Sequence, residues 1–212
     1  MPYKELESIS ICESLSRISG SDWVAIKFEK LISANDIEPV RFCEAVYKAQ
    51  NVHKSLSSQN VCCEGAKRCF GWLKNKDLKL AQMLSERTDI DQYVARELVR
   101  RVPVLNEKFS GISISKQADG DVYISYARPE SAMKLVRSWQ KITGQNLDTE
   151  ISGIMSVCGN IAVKSYIAQK ISISFGCPDS REYGSIEKGQ LVIGIPHKIA
   201  LLISVTKVEG NL

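Results

Sequence analysis

Histidine is almost missing from this chain, with only His53 and His197 among 212 residues. No His-x-x-x-His or His-x-x-Glu-His spacing occurs, which removes the familiar helical zinc patterns. A phosphate loop of the form Gly-x-x-x-x-Gly-Lys-Ser/Thr is also lacking, as is the elbow of a serine hydrolase. No strong excess of one charge exists: 28 basic against 24 acidic residues leave a net +4. The basic runs Lys67-Arg68, Lys74-Asn75-Lys76 and Arg100-Arg101 are short and mixed with acids, so a nucleic-acid partner is not expected.

Long apolar runs are lacking too. Glu5 and Glu7 interrupt the start, and no signal-peptide core follows. The most apolar stretch, Leu191 to Val205, contains Pro196, His197 and Lys198 and is too short and polar for a clean membrane span. The expectation is a cytoplasmic protein with no membrane contact. There disulfides are disfavoured, and clustered cysteines read first as metal ligands or redox groups.

What the chain does have is an ordinary globular composition, 44% hydrophobic and 25% charged. Its pattern predicts an α/β or α+β fold, a single mixed domain over 1–212 with an N-terminal helical region and a central hairpin. A subdivision would separate a mostly helical part, 1–105, from a mixed α/β part, 106–212. Helices are expected over 2–18, 40–56, 73–84 and 90–99, and again from Pro129 to Gly144. Trp23 to Phe28 suits a strand, and Ser33 to Asp36 a turn. Ile112 and Ile114 alternate with serines, Ala118 to Asp121 reads as a turn, and Val122, Ile124 and Tyr126 alternate again, the pattern of a hairpin. A helix after Cys158, strands at Ile171–Phe175 and Leu191–Ile195, and a helix after Pro196 complete the reading.

Cysteine carries the chemistry. Five of seven lie in two glycine-rich segments: Cys62-Cys63-Glu64-Gly65-Ala66 running on to Cys69, and Cys158-Gly159 through to Gly176-Cys177-Pro178. Thiolates are soft donors, and three or four convergent sulfurs hold an iron–sulfur cluster or a metal ion. Cys63, Cys158 and Cys177 form the best trio, because each is next to a glycine or one residue from it, which leaves room for an inorganic group. A fourth ligand is Cys62 or Cys69. Paired Cys-x-x-Cys knuckles and the dense ferredoxin run are both absent. Cys12 and Cys43 sit in amphipathic patterns and read as core side chains. Arg181 follows Cys177 and has the guanidinium fork that grips a carboxylate or phosphate. Glu64 reads as a solvated carboxylate, and neither histidine as a ligand.

The chain resembles the DUF169 family of uncharacterised bacterial and archaeal proteins. The resemblance runs through Trp23 to Phe28, Cys63-Glu64-Gly65-Ala66, Tyr126-Ala127-Arg128-Pro129 with Met133 and Leu135, Cys158 to Ala162, Ile173 to Arg181, and Leu191 to Pro196. It implies one family domain and carries over to Cys63, Cys158, Cys177 and Arg181. No reaction comes with it.

Three functions compete on these residues. An iron–sulfur protein would ligate its cluster with the trio, acting in redox or substrate activation on a small anionic substrate or with a redox partner. A metal-free enzyme would use Cys177 as a nucleophile, its thiolate favoured by Arg181. A noncatalytic domain would bind a small molecule or partner. Oligomerisation is open.

Overall fold

Alternation in Trp23-Val24-Ala25-Ile26-Lys27-Phe28 sends side chains to opposite faces of a strand, and two cores form on that basis. Val24, Ile26 and Phe28 enter one apolar cluster, while Trp23 and Ala25 enter another on the opposite face. The computed structural model describes residues 9–32 and 38–205. The expected turn at 33–36, and the first part of the expected helix at 2–18, lie mostly or wholly outside those residues.

Seven strands form one sheet in the order β2-β3-β1-β4-β7-β6-β5. They are β1 (Val24–Glu29), β2 (Lys54–Ser57), β3 (Gly111–Ser115), β4 (Val122–Ala127), β5 (Ile151–Ser152), β6 (Ser172–Ser174) and β7 (Leu191–Pro196). Neighbours are antiparallel except β5 and β6, which run parallel. Helices α1 (Ile11–Ser19), α6 (Pro129–Thr143) and α9 (His197–Val205) cover the Trp23 face. The opposite face carries α2 (Phe42–Lys48), α3 (Glu64–Cys69), and a π-helix, Ser156–Val163, that runs into α7 (Lys164–Ala168). The mixed α/β expectation holds, with helices on both sides of the sheet.

Local chemistry sets the helix ends. Ser10 accepts from Glu13 N–H at 3.2 Å to open α1, and Gly20 closes it at φ 73°. Pro129 begins α6 and Gly144, at φ 67°, ends it. Two further helices, α4 (Asp77–Thr88) and α5 (Gln92–Arg101), form a hairpin around their own small cluster of Leu80, Ala81, Ala95 and Val99. Asp91 caps α5 by accepting from Tyr93 N–H at 2.8 Å. Last comes α8 (Pro178–Tyr183), which follows β6.

Two expectations are corrected. The strands β3 and β4 form, but they do not pair as a hairpin, because β1 lies between them and pairs with both. The connection crosses close over β1: a Cβ on Gly120 would sit 2.8 Å from the Ile26 carbonyl oxygen. Asp121 fastens it, donating from its N–H to Ile26 O at 2.7 Å and accepting Phe28 N–H at 2.8 Å. The helix expected over 40–56 stops at Lys48, and Lys54–Ser57 becomes the edge strand β2. The exposed edge of β3 offers those residues backbone partners that their own periodicity does not encode.

Candidate functional site

Three separate segments bring cysteines to the π-helix side of the sheet. The first is anchored beside α2. Val40 and Val61 form a parallel bridge, with Val40 N–H donating to Asn60 O at 2.8 Å and Cys62 N–H to Val40 O at 3.1 Å. This places Cys62 and Cys63 next to the start of α2, which carries Arg41 and Cys43. Their side chains diverge: Cys62 is exposed, while Cys63 turns inward and is partly buried.

The second segment is the π-helix holding Cys158. π-Turns are rare and recur at functional sites. Met155, just before it, has φ 39° and ψ 46°, a left-handed conformation that costs a residue with a Cβ on the order of 1 kcal/mol or more. Its thioether reaches to 3.9 Å from the Cys69 sulfur. Close packing sets the helix in place. A Cβ on Gly194 of β7 would meet Ile161 Cγ2 at 2.7 Å, and one on Gly159 would meet Cys69 Sγ at 2.9 Å. Glycine at both positions lets the π-helix lie against the sheet and against α3.

The third segment is the turn from β6 into α8. Gly176 takes φ 87°, and Cys177 then becomes the residue that precedes α8. The Ser180 hydroxyl accepts Cys177 N–H at 2.7 Å and donates to Cys177 O at 3.0 Å, which fixes the backbone under that sulfur.

These segments line one cleft of about 490 Å³, which includes Cys43, Cys62, Cys63, Cys158 and Cys177. Burial and neighbouring groups raise three of these thiols. The Cys158 thiol is pushed well up by a side-chain hydrogen bond with Cys69, then by burial, then by the charges of Cys69, Cys63 and Cys177. Burial lifts Cys43 to about 12, and Cys177 and Cys63 add to the shift. Burial also raises Cys63, against the pull of the Ala66 and Gly65 N–H groups that face its sulfur. Below the cleft, burial raises the Tyr126 hydroxyl, helped by the charges of Cys43, Cys177 and Cys158.

Helix α4 forms the opposite wall with Leu80, Met83 and Leu84. Charged pairs close the rim. Lys79 Nζ lies 2.9 Å from Glu64, and both Arg41, at 2.8 Å, and Arg87 donate to Asp179. The Arg41 guanidinium also stacks 4.0 Å above the Tyr183 ring. At the base of the wall, the nearly buried Arg68 donates to Asp77 at 2.6 Å and to Val102 O at 3.0 Å.

Cys63, Cys158 and Cys177 are thus brought together, with Cys62 on the wall and Cys69 buried behind it. Arg181 is elsewhere. It donates to the carbonyls of Glu187 at 2.6 Å and Gln190 at 2.7 Å, and also to Phe175 O, and borders a second, more polar cleft. His197 lies across the sheet, hydrogen-bonded to Gly120 O at 3.0 Å. Cys12 also lies on that face, in the core with Leu15. Sequence reasoning missed Cys43, Arg41, Arg87 and Met155 as cleft residues. Cys43 does pack in the core as expected, but its position beside the thiol segment depends on the Val40–Val61 bridge. Among the described residues no three His, Cys, Asp or Glu side chains are grouped to hold a metal ion.

The model of the DUF169 family, described as Uncharacterised ArCR, matches residues 20–204. A curated relative, the uncharacterized protein MJ0308 of Methanocaldococcus jannaschii, is 23% identical over 168 residues, covering 75% of this chain and 72% of the relative. No solved structure matches the chain.

Proposed function

The chain belongs to the DUF169 family, and we propose that its cleft holds an iron–sulfur cluster through Cys63, Cys158 and Cys177. One observation carries this reading: Cys63, Cys158 and Cys177 line one cleft, although they come from three separate segments of the chain.

The donor set suits a cluster better than a single ion. One zinc ion draws its thiolates to about 2.3 Å from a single centre. A cluster of several metal atoms spaces its thiolates more widely. The cleft volume and the cysteines in its lining leave room for that larger guest. Cys43 adds a fourth sulfur to the wall; Cys62 and Cys69 are the other candidates. When bound, such a cluster supplies electron transfer, or a Lewis-acidic iron where one position lacks a protein ligand.

The chain's own groups have defined parts in this reading. Ser180 holds the backbone of Cys177, and the Gly65 and Ala66 N–H groups favour charge on the Cys63 sulfur. Leu80, Met83 and Leu84 give the cleft an apolar wall. Arg181 is a positioning residue, since its carbonyl bonds tie the loop after α8 to Phe175, two residues before Cys177.

Analysis of iron and acid-labile sulfide in protein prepared without oxygen tests the proposal. Brown protein carrying both is the expected result. Protein that stays colourless and iron-free after anaerobic reconstitution overturns it. If that iron-free protein is alkylated selectively at Cys177 near neutral pH, the thiolate-enzyme reading takes its place.

A further inference from the structure

The rim of the cleft carries two guanidinium groups on one carboxylate. Arg41 Nη1 is 2.8 Å from Asp179 Oδ2, and Arg87 Nη1 donates to Oδ1 of the same group. One negative charge therefore answers two positive ones. Glu64, the other acid in the lining, is paired with Lys79 at 2.9 Å and leaves that balance unchanged. A guanidinium has five N–H donors, more than a shared carboxylate engages.

Below this corner the wall is apolar, formed by Leu80, Met83 and Leu84 of α4 facing Met155. A half-open cleft of about 490 Å³ suits a small molecule. A charged corner on an apolar wall matches a ligand built the same way.

We propose that the cleft binds a small organic acid, its carboxylate shared between Arg41 and Arg87 and its apolar body against Leu80, Met83 and Leu84. Arg41 is pre-set for this role because its plane rests on Tyr183 at 4.0 Å. Arg87 stands on the α4 wall and reaches across to Asp179, so an incoming carboxylate meets donors from both sides of the cleft. The seat involves none of the sulfurs and does not rest on a cluster being bound.

Calorimetric titration of the full chain with octanoate, and with octan-1-ol as its neutral counterpart, tests this. Saturable octanoate binding is expected, with the alcohol about tenfold weaker for loss of a charge-assisted pair. Arg87→Gln, at a half-exposed position, should weaken octanoate by a similar factor and leave the alcohol unchanged. Equal affinity for acid and alcohol, no saturable octanoate binding, or an Arg87→Gln protein that binds octanoate normally overturns the proposal. Octanoate binding that survives in iron-free Cys158→Ser protein supports the carboxylate seat by itself. Iron-loaded protein that ignores octanoate overturns the seat while leaving the cluster reading intact.

Discussion

The Tyr126 hydroxyl donates to the Cys43 carbonyl at 2.8 Å, tying the central strand β4 to the helix that forms one wall of the cysteine cleft. Tyr126 is buried, so its hydroxyl relies on this partner within the protein. Tyr126→Phe removes the donor and leaves the ring in place. We expect a loss of about 1 kcal/mol in chemical unfolding, the usual net value of one buried hydrogen bond. A midpoint equal to that of the parent would show the bond to be energetically silent.

Cysteine replacements should separate by face. Cys158→Ser, in the π-helix between α3 and the turn before α8, is expected to lose most of the bound iron. Cys12→Ser, across the sheet in the Trp23 core, is expected to keep the iron while losing stability. Metal analysis and unfolding of the two variants, prepared together, provide the check. Equal iron in both would contradict thiolate ligation at the cleft.

The elevated thiols make the metal-free protein sensitive to alkali. Cys43 is raised by burial to about 12, and Cys158 and Cys63 are raised as well, so the folded state keeps protons that the unfolded chain releases near the ordinary thiol pKa. The contribution is complete below that value and disappears as pH climbs through the folded one. Stability of iron-free protein should therefore fall between about pH 9 and 12, and less steeply in Cys43→Ala. Urea midpoints across that range measure it. A Cys43→Ala profile parallel to the parent's would remove this thiol from the explanation.

Gly159 leaves no room for a methyl group: a Cβ there would lie 2.4 Å from Val102 Cγ1 as well as 2.9 Å from Cys69 Sγ. Gly159→Ala should cost about 1–3 kcal/mol through overpacking. Because the π-helix must shift to accept it, iron content should drop together with the thermal midpoint. A stable, fully loaded Gly159→Ala protein would argue against a tight fit between that helix and α3.

Arg68 fastens the base of α4 through Asp77, whose carboxyl is held below its usual range first by this hydrogen bond. That contribution is present above the ordinary aspartate pKa and is lost as pH drops through the depressed one. Arg68→Ala leaves the α4 wall without this tie at every pH. Alkylation of Cys63 and Cys158 in metal-free protein should then speed up severalfold, the sign of local opening. An unchanged labelling rate would mean that the wall is held by other contacts.

Residue patterns disclosed elements more readily than their neighbours. The alternation in Val122, Ile124 and Tyr126 announces β4, and Pro129 with Gly144 brackets α6, because those signals are local. The insertion of β1 between β3 and β4 depends on backbone pairing across about ninety residues, which no alternation reports. The thiol site shows the same division. Glycines beside Cys63, Cys158 and Cys177 marked the three segments that converge, whereas Cys43 looked like any apolar position on a helix and is indeed buried. Arg181 looked like a ligand clamp because its fork is suited to carboxylates, yet the same fork serves backbone carbonyls. Arg41 and Arg87 lie forty-six positions apart, and only their shared contact with Asp179 singles them out.

The hairpin of α4 and α5 has its own small core and meets its surroundings chiefly through ion pairs and Met155. Substitutions at its cleft-facing Leu80, Met83 and Leu84 would therefore change what the opening admits while the sheet and the π-helix beneath keep their own packing.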